Sequence, residues 1–322
     1  MSIERRTFLG SGVALLAASA AAGQPARPAK GLAGAPFFPP TERFPLWPGS
    51  PPGAPRTPIK PNWTMDGELH IEGVPMPEVH VYRPARADGS ALIALPGGGY
   101  EYLSVQNEGL DPAERFNADR TTVFVLTYRL PAEGGQNRAL ASLQDAQRAM
   151  RLIRSRAADF QIDPTRLGVL GFSAGGHLAA DLGVSFDQPL YKPVDDADQL
   201  SARPAFLGLI YAVTTLEDGG HVGSRDTLLG KTPSPALVAS RSPVRHVTSA
   251  TPPSFLVAAF DDDTVPVANS LTWIAAAQQA KTSVEAHLLA KGGHGFGLHL
   301  PKDNPGSRWP DLFALWMRQH SA

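Results

Sequence analysis

The chain reads as an α/β protein with a mainly parallel central sheet and helices on both faces. Three observations predict this. Short, uninterrupted apolar runs recur along the chain, the pattern of strands buried on both faces. Segments with apolar residues at helical spacing fall between several of these runs. Two of the runs end directly in glycine-rich turns.

Taken in order, Pro77 to Tyr82 alternates apolar and polar, as a half-buried strand does. Ala91 to Leu95 is apolar throughout and ends in Pro96-Gly97-Gly98-Gly99, a buried strand feeding a tight loop. Thr121 to Leu126 is a further buried strand. Leu143, Ala146, Ala149, Met150 and Ile153 lie at helical spacing. Leu167 to Leu170 reads as a short strand broken by Gly171, and Ala174 to Leu182 suits a helix. Phe206 to Tyr211, Phe255 to Ala259 and Val284 to Leu289 are three more apolar runs. Asn269 to Ala280 and Trp309 to His320 are helical in pattern. Residues 212 to 250 fit no strong period and are expected to form an insertion over the sheet edge. No internal repeat is evident.

Composition narrows the function classes. The 322 residues are 43% hydrophobic, and 29 basic against 30 acidic side chains leave a net charge of −1. A near-neutral balance gives no phosphate-binding surface, so nucleic acid is not an expected partner. Cysteine is absent. That removes disulfides, thiolate metal sites and cysteine nucleophiles together.

The N-terminus reads as an address. Arg5-Arg6 followed by Phe8-Leu9 and an apolar run to Ala22 resembles a twin-arginine export signal, with small-residue cleavage sites at Ala18-Ser19-Ala20 and Ala20-Ala21-Ala22. The run from Gly10 to Ala22 falls short of the ~18 residues needed to span a bilayer, so no stable membrane insertion of the mature protein is expected. A periplasmic or secreted location follows. Residues 24 to 62 hold 12 of the 31 prolines, the mark of a tether or surface-hugging segment rather than a domain. Phe37, Phe38, Phe44 and Trp47 would pack part of it against the body. The expected organisation is a signal over 1–22, a Pro-rich segment over 23–62 and one catalytic domain over 63–322.

Three loops carry chemistry. Gly171-Phe172-Ser173-Ala174-Gly175 follows a strand and opens a helix. This is the context of the G-x-S-x-G elbow, whose sharp turn projects the serine hydroxyl above the sheet and offers the N–H of Ala174. The glycines after Pro96 let backbone N–H groups face a cavity unobstructed, as an oxyanion site requires. His294, flanked by Gly292, Gly293, Gly295 and Gly297, can present its ring as a general base. His299 is its nearest rival, while His177 is expected to pack behind the elbow. His294 and His299 lack a carboxylate partner pattern, so no metal site is read. Asp261, Asp262 and Asp263 follow the run Phe255 to Ala259, and any one could orient the imidazole. With Asp262, the order serine, acid, histidine is that of the α/β-hydrolases.

Pro96-Gly-Gly-Gly-Tyr, Tyr128-Arg129-Leu130, Leu143-Gln-Asp-Ala-Gln-Arg, Gly171-Phe-Ser-Ala-Gly-Gly-His-Leu-Ala and Gly293-His-Gly-Phe-Gly together resemble the α/β-hydrolase esterases related to bacterial acetyl xylan esterases. The resemblance spans about residues 77 to 300 and implies the α/β-hydrolase fold. In such esterases the acid stands three residues before the Val of a V-P pair, which falls on Asp262. Pro96 replaces the histidine of the family's H-G-G-G but leaves the glycine donors, and the match places the loop donors at Gly98 and Gly99.

These readings imply a secreted serine ester hydrolase with Ser173 as nucleophile, His294 as base, Asp262 as orienting acid and Gly98, Gly99 and Ala174 as the oxyanion hole. No metal or organic cofactor is implied. The expected substrate is a short acyl ester, above all acetyl groups on plant polysaccharide of the xylan type, and Tyr100 either walls the acyl pocket or packs its ring beneath the loop. A prolyl-oligopeptidase-like peptidase and a lipase share the elbow and the triad order. A catalytically silent carbohydrate-binding protein on the same scaffold is the non-enzyme alternative. Oligomeric state is left open.

Overall fold

The computed structural model describes residues 40–320 apart from 58, 66, 67 and 134. The export signal and Phe37–Phe38 therefore lie outside the described residues. Eleven strands are present among them: β1 (Glu42–Pro45), β2 (Asn62–Met65), β3 (Leu69–Gly73), β4 (Glu78–Tyr82), β5 (Ala91–Leu95), β6 (Leu103–Ser104), β7 (Thr122–Thr127), β8 (Leu167–Phe172), β9 (Leu207–Ile210), β10 (Ser254–Ala259) and β11 (Val284–Leu289). Eight α-helical segments accompany them: α1 (Asp111–Ala118), α2 (Arg138–Ser155), α3 (Ala157–Phe160), α4 (Ser173–Ser185), α5 (Val222–Leu229), α6 (Pro235–Ser240), α7 (Ala268–Ala280) and α8 (Trp309–Gln319).

The main sheet runs β1-β4-β7-β5-β8-β9-β10-β11. From β7 to β11 every pairing is parallel, while β1 and β4 add antiparallel strands at one side. All positions of β5, β7, β8, β9 and β10 are buried. Their uninterrupted apolar composition is what a sheet covered on both faces demands. β2, β3 and β6 form a separate small antiparallel sheet. Because β6 follows the glycine loop within four residues, this sheet stands beside the C-terminal ends of the main strands. In α/β sheets that end is where ligands bind.

Two expectations need correction. The domain does not begin at residue 63. Within the proline-rich segment, β1 pairs with β4 as the sheet's edge strand, and Leu46 and Trp47 are buried. Its anchor is polar. Asp145 on α2 receives the Trp47 indole N–H at 2.9 Å and a forked set of bonds from Arg129. Arg129 Nη1 then donates to the Pro52 carbonyl and Arg148 Nε to that of Leu46. The Tyr128-Arg129-Leu130 and Leu143 to Arg148 motifs thus hold this segment to the body. Likewise, residues 212–250 do not cover the sheet edge. They leave from β9, an interior strand, and their helices pack on α2 and α4 near the elbow.

Candidate active site

Ser173 stands where β8 passes into α4 without an intervening loop, at φ +50°. A non-glycine residue in the left-handed region stores strain, of order 1–3 kcal/mol, and such strain concentrates at functional sites. The surroundings enforce it. A Cβ on Gly175 would overlap the Leu95 and Pro96 carbonyls, and one on Gly171 would overlap the Gly175 carbonyl. Only hydrogen fits where α4 crosses the end of β5.

The structure brings the three polar side chains together in one row. Ser173 Oγ lies 2.9 Å from His294 Nε2, and His294 Nδ1 lies 2.7 Å from Asp262 Oδ2. The other oxygen of Asp262 accepts the N–H groups of Thr264 and Val265 at 2.9 and 2.8 Å. Its side chain is fully buried and that of His294 only 18% exposed. The two other aspartates do different work. Asp261 Oδ1 accepts the N–H groups of Gly292 and Gly293, anchoring the loop just before the histidine. Asp263 is exposed and accepts the Thr264 hydroxyl at 3.3 Å.

The glycine loop lies against this row. Gly98, Gly99 and Tyr100 all have positive φ (117°, 64° and 65°), and Gly97 approaches the Ser173 side chain so closely that a Cβ would come within 2.8 Å of it. Among the described residues no backbone carbonyl takes up the N–H of Gly98 or Gly99. The N–H of Ala174 lies in the first turn of α4, where helices leave donors without intrahelical partners. These N–H groups are therefore not committed to backbone partners, and the loop that carries two of them abuts Ser173 through Gly97.

Tyr100 does not wall an acyl pocket. Its ring is 1% exposed, beneath the loop, edge-on to Tyr128 and His177, and its hydroxyl meets His177 Nδ1 at 2.7 Å. A left-handed backbone at Tyr100 turns the side chain inward. His177, bonded also to the Arg241 carbonyl at 2.9 Å, is driven down to about 3 by burial and stays neutral behind the elbow. His299 pairs with Asp111 at 2.6 Å and is not part of the row.

Several residues around the site escaped the sequence reading. Tyr211, at φ +38° just after β9, packs its ring edge-on against His294 and Phe296 at 4.9 and 4.6 Å. Glu108 sits beneath the glycine loop, and His221, the N-cap of α5, lies within electrostatic reach of both His294 and Asp262. Burial lowers the His221 pKa first, with His294 adding to it. The available signal was position: Tyr211 closes an apolar run at the sheet's C-terminal side, where sites form. Among the described residues no cluster of three or more metal-binding side chains occurs, and no helix is long and apolar enough to cross a membrane.

Residues 79–276 match the BD-FAE family model. The chain belongs to the BD-FAE family of α/β-hydrolases. An acetyl ester-xyloside bifunctional hydrolase from Caldicellulosiruptor lactoaceticus is 33% identical with a TM-score of 0.73, the match covering 88% of this chain and 97% of that one. The acetylxylan esterase of Xylanibacter ruminicola is 31% identical over 67% of this chain and 43% of its own length. Endo-1,4-beta-xylanase B of Butyrivibrio fibrisolvens is 33% identical over 68% of this chain and 34% of its own. The chain thus spans less than half the length of these two curated relatives. The mostly parallel sheet flanked by helices is the α/β-hydrolase fold that such neighbours share.

Proposed function

We propose that the chain is a serine ester hydrolase of short acyl esters, with acetyl groups on xylan-type polysaccharide as its substrate class. The observation that carries this reading is the Ser173–His294–Asp262 row with the glycine loop abutting Ser173 through Gly97, and Gly98, Gly99 and Ala174 are its proposed oxyanion donors. Ser173 Oγ attacks the acyl carbon as His294 Nε2 takes its proton, and Asp262 holds the imidazole in the accepting tautomer. The oxyanion meets the three backbone donors. The bond to the alcohol oxygen then breaks as the imidazolium returns the proton to it. Water, deprotonated by His294, then attacks the acyl carbon, the Ser173 Oγ–acyl bond breaks with the proton returned from the imidazolium to Oγ, and the acid leaves. Every step uses groups of this chain and water.

The acetyl preference is supported by the named activities of the xylan-degrading relatives and not by Tyr100. Export through the twin-arginine signal, removed before the mature protein acts on a polymer outside the cytoplasm, is part of the same proposal. The test combines fluorophosphonate labelling, with Ser173→Ala as control, and kcat/KM on nitrophenyl acetate, butyrate and octanoate, on acetylated xylan and on amides. Labelling at Ser173 with acetate turned over best is expected. Each methylene changes discrimination by ~1–3 kcal/mol in a fitted pocket. A maximum at octanoate indicates a lipase-type enzyme, amide turnover a peptidase. Absent labelling leaves a binding protein on a hydrolase scaffold.

A further inference from the structure

We propose that Glu108 is a positioning residue for the reaction, one buried carboxylate holding the glycine loop and the histidine loop in register at the nucleophile. The proposal rests on the ester-hydrolase reading above. Glu108 lies on a π-helical turn, Gln106–Leu110, closed by the N–H of Asp111 reaching back to the Gln106 carbonyl. Turns of this kind recur at functional sites because they re-aim side chains that a regular helix would direct elsewhere.

Both carboxylate oxygens are engaged. Oε2 accepts the Gly97 N–H at 2.6 Å, and Oε1 accepts the Tyr211 hydroxyl at 2.9 Å. Tyr211 Oη in turn accepts the N–H of Gly297, three residues beyond His294, at 3.0 Å. Gly97 is the loop residue that abuts Ser173, so this chain of bonds runs from the face of the nucleophile to the loop of the base. Neighbours on the same turn grip the same histidine loop: Asn107 Nδ2 donates to the Gly295 carbonyl at 2.9 Å, and Asp111 meets His299. Gly97, whose N–H is spent on Glu108, is thereby not an oxyanion donor. It sets where the next two residues point theirs.

The ionised carboxyl accepts from both donors at once, whereas the protonated acid turns an O–H toward one of them. A glutamine keeps the shape and one acceptor but turns an NH2 toward the second donor. Burial pushes the Glu108 pKa up to about 7, against the opposing bonds from Gly97 and Tyr211 and the attraction of His294. The titratable groups facing it are His294 and Glu68, with the phenols of Tyr102, Tyr128 and Tyr211. Acidification through pH 7 therefore protonates Glu108 and removes one of its two accepted bonds.

The experiment measures Ser173 labelling by fluorophosphonate and kcat and KM on nitrophenyl acetate from pH 5 to 9, for the wild type, Glu108→Gln and Tyr211→Phe. Expected for Glu108→Gln is a kcat lower by roughly 10–100-fold, less than the 10²–10³ of a deleted oxyanion donor, with KM little changed. Its acid limb should have unit slope, where the wild type falls with a slope between one and two. Tyr211→Phe, which keeps the carboxylate but cuts the link to Gly297, should lower kcat in the same direction and decides the matter if Glu108→Gln does not fold. Wild-type kcat and an unmoved pH profile in a folded, labelled Glu108→Gln overturn the positioning role alone. A wild type that neither labels nor turns over acetate overturns the ester-hydrolase reading instead.

Discussion

Replacing Asp262 by asparagine tests the triad at its most specific point. Asp262 Oδ1 accepts two backbone N–H groups, from Thr264 and Val265, while Oδ2 faces His294 Nδ1. An asparagine here has one orientation open to it. Its carbonyl must stay on the two N–H groups, because the flipped amide sets NH2 against both, at about 1–3 kcal/mol for each donor left unpaired. The NH2 therefore faces Nδ1, forcing that nitrogen to accept and placing the proton on Nε2, toward Ser173. The imidazole can then no longer take the serine proton. At a serine protease this change costs ~10⁴ in kcat, about 5 kcal/mol of barrier. Steady-state hydrolysis of nitrophenyl acetate, with Tm measured beside it, reads the effect. Asp261→Asn should stay near wild type, since an amide oxygen still accepts from Gly292 and Gly293, and Asp263→Asn should change little. A folded Asp262→Asn within tenfold of wild-type kcat, or a larger loss at Asp263, would refute the reasoning.

Other consequences follow from burial. Tyr100→Phe strips the hydroxyl from His177 Nδ1 and should cost about 1–3 kcal/mol in urea unfolding while leaving the acetate-to-butyrate ratio unchanged. Asp145→Ala leaves Arg129 buried without its partner and should cost ~3–5 kcal/mol, with the residues around Trp47 becoming protease-sensitive. Because the raised Glu108 pKa means that the folded state binds the proton more tightly than the unfolded chain, its contribution to stability falls as pH rises from about 4.5 to about 7. Unfolding at pH 5 and 8 should show Glu108→Gln gaining on the wild type toward pH 8, by up to about 3 kcal/mol. Export predicts that protein from the periplasm of a twin-arginine-competent host starts near Ala21 or Gly23, and an intact Met1 there speaks against it.

Much of the fold was legible because a doubly covered sheet writes itself plainly. A strand with no solvent face must be apolar at every position, and Ala91–Leu95 and Phe255–Ala259 match β5 and β10 to within a residue. What the sequence hid were elements whose stabilisation is not apolar. β1 has the alternating exposure of an edge strand, sits among prolines and is held by Arg129, Arg148 and Asp145. Its hydrogen bonds to β4 exist only because residues about a hundred positions away fix the chain there. No local window contains that information. The two-residue β6 and the helices of the 212–250 segment are short for the same reason: partners elsewhere define them.

At the site, the difference lies between residues that announce themselves by glycine and residues that do not. Ser173, His294 and the Gly98–Gly99 loop sit at backbone conformations or close approaches that exclude side chains, so glycines mark their neighbourhoods. Glu108 and Tyr211 need no such marking, since a carboxylate and a phenol reach their partners across ordinary distances. Tyr100 shows the converse hazard. Adjacency to the glycines left two directions open for the ring, and the left-handed φ at Tyr100 itself decided between them by giving it to His177. Direction at such a turn is set by the backbone dihedral. It follows that the residues shaping the acyl pocket are to be sought on other loops near His294, and not along the glycine loop's own sequence.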